Sequence, residues 1–309
     1  MKLVRGFKNP ECYRRGFVSI GNFDGVHRGH QTMIAALVRN AKQASVPSVV
    51  MTFDPHPIAL LRPEHTPPNL CTVEHKVELL TRFGVDCVIV YPTDREFLQL
   101  SPIEFFDNVV RRELEASGLV EGPNFYFGHD RQGNVATLRE LCDAAGVELE
   151  VISPVVVGSC LVSSSAIRSQ ILAGSLASAV EMLGHPFRIR GTVVHGAERG
   201  RTIGFPTANL SDVATLLPAD GVYAGIVRLD ERSWRAAVHI GSNPTFGESG
   251  RKLEVHLLDF QGDLYHRTLD VDLVDRVRGT EKFSGAEALK KQLLMDVAKV
   301  REIVPLSDE

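Results

Sequence analysis

Ten residues, Gly21-Asn-Phe-Asp-Gly-Val-His-Arg-Gly-His30, constrain this chain more than any other stretch. Before them Phe17-Val18-Ser19-Ile20 is a short apolar run that predicts a strand. After them Met33, Ile34, Leu37 and Val38 recur at helical spacing. A strand, a glycine-bearing loop and a helix start make an anion site. Glycine lets the backbone approach a phosphate, and the free N–H groups of a first helical turn point at it. His27 and His30 lie three residues apart around the small Gly29, a spacing that puts them on one face of that turn. Two imidazoles beside a ring of amides suit a reaction in which charge builds on phosphorus, where positioning and electrostatics do the catalysis. The plain alternative is a pair of surface histidines at a helix start.

Length and composition bound the rest. A chain of 309 residues predicts two domains. With 44% hydrophobic and 23% charged residues it is an ordinary globular sequence, and no apolar run is long enough to span a bilayer. A net charge of −4 argues against an electrostatic grip on nucleic acid or an anionic membrane. Lys2, Arg5, Lys8, Arg14 and Arg15 surround no apolar stretch, so a cytoplasmic chain without an export leader is expected. The five cysteines are odd in number and form no C-x-x-C pair, which predicts free thiols.

From about residue 17 to 157 strand and helix patterns alternate. Val46–Phe53, Val85–Tyr91 and Val147–Val151 predict strands; Glu74–Phe83, Ile103–Leu114 and Ala136–Ala145 predict helices. Such alternation implies a parallel sheet, with ligands beyond the carboxyl ends of its strands. Pro55-His56-Pro57 predicts an extended path that holds the His56 imidazole away from a helix, leading into a proline-rich loop that reaches about Cys71. Glu121 to Gly133 is a second glycine-bearing loop. There Asn124 offers an amide to a ring edge, and Phe125 or Phe127 offers a face to a planar ring.

Ser163-Ser164-Ser165-Ala-Ile-Arg168 opens another helix, its hydroxyls suited to capping and Arg168 to clamping phosphate. Gly184-His-Pro then breaks the pattern, so the domains are expected at 1–183 and 184–309. Beyond it Phe187–His195, Gly221–Leu229, Ser233–Ile240, Leu253–Asp259 and Thr268–Val277 predict strands of an antiparallel barrel, followed by a helix at Ala286–Ile303. Gly196 to Asn209 carries Gly196, Gly200 and Gly204, a flexible flap able to touch phosphates. In it Thr207 and Asn209 offer hard oxygen ligands for a Mg²⁺ shared with a nucleotide. Leu253, Val255 and Leu257 alternate with Glu254 and His256, which places Glu254 on a strand's polar face.

These motifs resemble, in order and over residues 16 to 303, the bifunctional riboflavin kinase/FMN adenylyltransferases of bacteria. Gly21–His30 is similar to the ATP site of the HxGH nucleotidyltransferases, and Ser163–Arg168 to their I-S-S-T-x-I-R motif, with Ser165 in place of Thr. Gly200–Asn209 is similar to the ATP–Mg signature of riboflavin kinases. The resemblance implies a Rossmann-like nucleotidyltransferase domain followed by a β-barrel kinase domain. For adenylyl transfer it implies catalysis by His27, His30 and Arg168. It also implies ATP contacts at Gly21, Asn22, Phe23, Asp24, Gly29, Ser163, Ser164 and Ser165, and flavin contacts at His56, Asn124 and Phe125. For the kinase it implies ATP contacts at Gly200, Gly204, Pro206, Thr207 and Asn209, with Thr207 and Asn209 on the metal. Glu254 becomes the general base and Arg278 a flavin residue. Four positions depart from the family pattern: Asn124 where many members have Asp, Ser165, His239 where Asn is usual, and Thr280 where Glu is usual.

The expected activity is phosphorylation of riboflavin by Mg·ATP to give FMN, then adenylyl transfer from ATP to FMN to give FAD and pyrophosphate. Small molecules are the expected partners, with no nucleic acid and no membrane; oligomeric state is not read from the sequence. Two other readings fit the same residues: one live site of the two, or a nucleotidyltransferase for another phosphorylated alcohol.

Overall fold

Val18, Ile20, Val49, Met51, Cys87 and Ile89 pack toward one side of a sheet, while Phe17, Val50, Val88 and Val90 pack toward the other. Strands apolar on both faces are what a parallel sheet between two helical layers requires. A computed structural model describes residues 2–196, 199–202, 204–243 and 248–306. The chain divides into two compact units, one of residues 2–68 and 72–162, the other of 69–71 and 163–306.

The first unit runs β1 (Lys2–Arg5), β2 (Phe17–Ile20), α1 (Arg28–Ala44), β3 (Ser48–Phe53), α2 (Pro57–Leu61), α3 (Val73–Arg82) and β4 (Cys87–Tyr91). It continues with α4 (Arg95–Gln99), α5 (Pro102–Phe105), β5 (Gly118–Glu121), α6 (Val135–Ala145), β6 (Glu148–Val151) and a small hairpin of β7 (Val156–Val157) and β8 (Cys160–Leu161). After α5 the helix widens to π geometry over Phe106–Glu113. Six strands form one sheet in the order β1-β4-β3-β2-β5-β6, every neighbouring pair parallel. From β2 the chain builds outward through β3 and β4, then crosses back to β5 and β6. The order therefore reverses between β2 and β5, the place where doubly wound sheets open a ligand crevice. Ile34, Leu37, Val77 and Leu80 of α1 and α3 cover one face; Phe105, Val109, Leu138 and Cys142 cover the other. The expected parallel α/β domain is present, with the short edge strand β1 and the helix α2 added to it.

The second unit runs α7 (Ser164–Leu172), α8 (Leu176–Leu183), β9 (Phe187–Val194), α9 (Arg199–Thr202), β10 (Ala208–Ser211) and β11 (Gly221–Leu229). Then come β12 (Arg232–Asn243), β13 (Glu248–Leu257), β14 (Thr268–Arg278) and α10 (Ala286–Ile303). The strands close an antiparallel barrel in the order β10-β13-β12-β11-β14-β9. Closure needs β10, a strand that the glycine-rich flap concealed in the sequence. Leu176, Ala179, Met182 and Leu183 of α8 are buried where that helix packs on β14 and β9. Ala224, Ile226 and Ala237 pack against Val297 and Val300 of α10 and its C-cap Val304, so that face of the wall is the outside of the barrel. The Arg235 side chain donates to the Val304 and Leu306 carbonyls and fixes the end of that helix.

Charge is buried in the barrel wall only where it is paired. Arg188 donates through Nε and a terminal nitrogen to both oxygens of Asp272, at 2.7 and 3.0 Å, and Arg228 adds a 2.9 Å bond to the same carboxylate. Asp272→Ala leaves the buried Arg188 with its longer 3.6 Å contact to Asp270, a carboxylate already bound by Arg190, and we expect a loss of about 3–5 kcal/mol of unfolding free energy. Urea unfolding followed by circular dichroism measures it, and a loss below about 1 kcal/mol contradicts this account of the wall.

Candidate functional site

The strand β2 ends at Ile20, and the chain turns through backbone that side chains rarely adopt. Phe23, Gly25 and Val26 have φ of 45°, 76° and 37°. For a β-branched residue such as Val26 this is strained, at about 1–3 kcal/mol per residue, the kind of strain that gathers at functional turns. Phe23 anchors the loop in the core, buried and 5.0 Å from the His30 ring. His27 is the N-cap of α1, and its Nδ1 accepts the backbone N–H of His30 at 3.3 Å. That bond requires an unprotonated Nδ1, so a neutral His27 carries its proton on Nε2. The two rings stack with centroids 3.6 Å apart and planes 14° from parallel. Gly29 permits it: a Cβ there would meet the His27 ring at 3.2 Å. Desolvation first, then His27 and Lys76, push the His30 pKa well below its ordinary 6.5. His30 is a neutral imidazole in a site shaped for anions.

The sequence reading passed over two buried ionisable groups at this corner. Strands β2 and β5 pair only at Phe17 with Gly118 and Val18 with Leu119, then separate. The Ile20 N–H, left without a strand partner, donates at 2.7 Å to Oε1 of Glu121, which is 1% exposed. Burial raises the Glu121 pKa well above 4.5. Lys76, 6% exposed on α3, donates at 3.1 Å to Thr52 Oγ1, and that hydroxyl donates at 3.1 Å to the Asn22 carbonyl in the loop. Its sequence signal is position: Val73, Lys76, Val77 and Leu80 form one helical stripe, with a lysine where an apolar residue belongs.

Other predicted residues of this unit are placed as follows. Asp24 is buried in the loop. His56 does not stand away from a helix as expected: it caps α2, its Nδ1 accepting the Ile58 N–H at 3.1 Å. Pro57 takes the first helical position, where a missing N–H is harmless. Asn124 is exposed, while Phe125 is half-buried and stacks on Phe127 at 5.5 Å. Phe127 belongs to the core. In the other unit Ser163 caps α7 by accepting the Ala166 N–H at 3.2 Å, and Ser164, Ser165 and Arg168 occupy the first turns of that helix.

The second site is a row across the barrel wall. Asn209 of β10 is the register partner of Glu254 on β13, and Glu254 is the partner of His239 on β12. Partners in register share a face of the sheet. That face is the outer one, since His256 faces the same way and pairs with Ala237 under α10. Leu253, Val255 and Leu257 alternate inward and are buried. His239 Nδ1 lies 3.6 Å from Glu254 Oε2. The flap is tied to this row: His256 Nδ1 lies at hydrogen-bond distance, 2.8 Å, from the Pro206 carbonyl, and the Phe205 ring meets His256 at 5.5 Å. Phe205 N–H donates to the Gly200 carbonyl at 2.8 Å, and a Cβ on Gly200 would strike the Phe205 carbonyl. Gly204 has φ of 89°. Thr207 is exposed and Asn209 half-buried, its amide packed so that a Cβ on Gly196 would strike it. A hydroxyl and an amide oxygen beside a carboxylate are hard ligands that fit a Mg²⁺ whose remaining ligands are phosphate and water. Arg278 turns its fork onto Asp296 of α10, at 2.8–3.1 Å, and a further nitrogen onto the Gly279 carbonyl. Ala197, Glu198 and Ile203 of the flap, and Pro244, Thr245 and Phe246 of the turn after Ile240, lie outside the described residues.

Comparison with known proteins agrees with this two-part layout. Residues 9–166 match the family model for FAD synthetase and residues 183–304 the model for riboflavin kinase. The chain is 36% identical over 310 residues to the bifunctional riboflavin kinase/FMN adenylyltransferase of Escherichia coli strain K12, with 99% of each covered. It is 38% identical over 305 residues to the protein so named from Pseudomonas fluorescens, with 98% of each covered. A crystal structure from Streptococcus pneumoniae, described as a macrolide-efflux protein, is 33% identical with a TM-score of 0.88, covering 97% of this chain and 99% of that one. Among the described residues no helix is long and apolar enough to cross a membrane.

Burial of Glu121 has a consequence for stability. Its folded pKa is raised, so folding retains a proton that the unfolded chain releases above about pH 4.5. The stability tied to that proton is complete below this pH and declines as pH rises toward the folded pKa. Glu121→Gln keeps an oxygen for the Ile20 N–H and removes the decline. We expect the variant to melt above the parent at about pH 8 and the difference to close near pH 4.5; a constant difference across that range refutes it.

Proposed function

Because this chain belongs to the bifunctional riboflavin kinase/FMN adenylyltransferase family, we propose that it makes FAD in two steps, each at its own site. The observation that carries this reading is the pairing within one chain of stacked histidines at the carboxyl end of β2 with the Asn209–Glu254–His239 row of the barrel. Residues 184–309 are assigned the kinase step and residues 1–183 the adenylyl step. Helix α7 is assigned to the latter by its motif and α8 by the break at Gly184-His-Pro that follows it, although α8 packs on the barrel.

In the kinase step Glu254 takes the proton of the terminal ribityl hydroxyl as its oxygen attacks the γ-phosphorus of ATP. The bond to the ADP oxygen breaks, and FMN and ADP are the products. Thr207 and Asn209 would hold a Mg²⁺ ion, which when bound would supply neutralisation of phosphate charge. The flap residues Gly200, Gly204 and Pro206, held by His256, lie along the triphosphate. Arg278, its guanidinium held by Asp296, enters as the anchor of the flavin end.

In the adenylyl step a phosphate oxygen of FMN attacks the α-phosphorus of ATP, and pyrophosphate leaves. His27 and neutral His30 donate hydrogen bonds to the charge that develops there. The Gly21–Asp24 loop and the first turn of α1 cradle the phosphates, with Gly29 keeping the backbone open. Ser164, Ser165 and Arg168 are assigned the leaving pyrophosphate by their motif, with Ser163 capping the helix. His56, Asn124 and Phe125 are assigned the flavin. Free thiols throughout accord with a reducing cytoplasm.

Separate sites make separable losses. His27→Ala with His30→Ala abolishes FAD formation from FMN and leaves FMN formation from riboflavin at the parental rate. Glu254→Gln does the reverse, lowering FMN formation by about 10²–10⁴-fold. Flavins separated by chromatography give both rates, and loss of both products in either variant overturns the assignment.

A further inference from the structure

Lys76 has no role in the steps above, yet its surroundings are those of a ligand site. Its stem runs along the apolar face of α3, between Val73, Val77 and Leu80, and the residue is 94% buried, being 6% exposed. Its ammonium has three donors, and the hydrogen bond it makes goes to the neutral Thr52 hydroxyl. Among the described residues no carboxylate lies within ion-pair distance of it. A desolvated cation without a counter-charge is expensive to keep, and folding alone does not favour it over an apolar residue.

Two further observations point the same way. Asn22 Oδ1 and His30 Nδ1 are buried polar atoms without a hydrogen-bond partner, the first in the loop whose carbonyl Thr52 ties to Lys76, the second in the first turn of α1 that this loop leads into. The Lys76 charge is also felt at His30, where it helps keep the imidazole neutral. The arrangement gives one fixed positive charge and one neutral N–H donor beside the helix start. An imidazolium there would only repel the Lys76 ammonium.

We propose that Lys76 is a catalytic residue of the adenylyl-transfer site, its ammonium binding a non-bridging oxygen of the ATP phosphates from the β3 side of the Asn22–His30 loop. The inference rests on the adenylyl-transfer reading and deepens it. Thr52 sets the direction of the ammonium, the phosphate supplies the counter-charge the protein withholds, and the attraction grows as negative charge gathers at the α-phosphate. No bond to Lys76 forms or breaks.

The test compares Lys76→Met, which keeps the stem and removes the charge, with Lys76→Gln, which keeps a polar end. Three quantities are measured in each full-length variant: kcat/KM for FAD from FMN and ATP, the rate of FMN formation from riboflavin, and the melting temperature. The expected result is a loss of at least about 100-fold in FAD formation, unchanged FMN formation, and for Lys76→Met a melting temperature equal to or above the parent. FAD formation within about threefold of the parent in either variant overturns the proposal. So does a loss of FAD formation matched in both variants by a lower melting temperature, which would make Lys76 structural. A parent protein that forms no FAD strikes down the adenylyl-transfer reading itself, an outcome separate from either variant's.

Discussion

One hydrogen bond, from the His30 amide to His27 Nδ1, sets the geometry of the nucleotidyltransferase site. It fixes the first residue of α1, the tautomer of His27 and, through Gly29, the stacking of the two rings. An N-cap is usually an aspartate or serine, and either would bring a charge or a bare hydroxyl to the helix start. A histidine there does the capping with one ring nitrogen and keeps the other for a ligand. The strained turn at Phe23 and Val26 persists because Phe23 is sealed in the core and the Val26 carbonyl accepts from the Gln31 side chain at 2.8 Å. The loop position follows from the sheet: β2 parts from β5 where the strand order reverses, and the backbone left unpaired there is taken up by Glu121.

In the barrel the constraint is closure. A residue on a strand has its neighbours chosen by register, and β10 is the strand that brings Asn209 level with Glu254. The same register places His239 on the other side of that glutamate. The two flanking groups differ in kind, a neutral amide on one side and an imidazole on the other. His239 Nδ1 stands 3.6 Å from Glu254 Oε2, so the carboxylate has an imidazole beside it across the strand pair. The paired charges of Arg188, Arg228 and Asp272 hold the opposite stretch of wall without leaving a bare ion inside.

Periodicity exposed the elements whose apolar residues repeat at 2.0 or 3.6, and local motifs exposed the groups that lie close together in sequence. The parallel α/β domain, the barrel, the α10 helix and the Glu254 alternation were all legible that way. What stayed hidden depended on contacts distant in sequence. Strand β10 is four residues long inside a loop rich in glycine, and only its pairing with β9 and β13 makes it a strand. Lys76 and Glu121 look like ordinary charged residues until the fold buries them. The prolines around His56 point to an extended chain, whereas Pro57 begins a helix that His56 caps. The outward packing of Arg278 on Asp296 needs α10 in place, 18 residues further on.

The central claim, two successive reactions on one chain, is tested most directly by the purified protein with riboflavin, ATP and Mg²⁺, its flavins separated by chromatography over time. The account predicts that FMN rises first, then falls as FAD accumulates. FAD appearing with no FMN phase, or riboflavin remaining unphosphorylated, would contradict it.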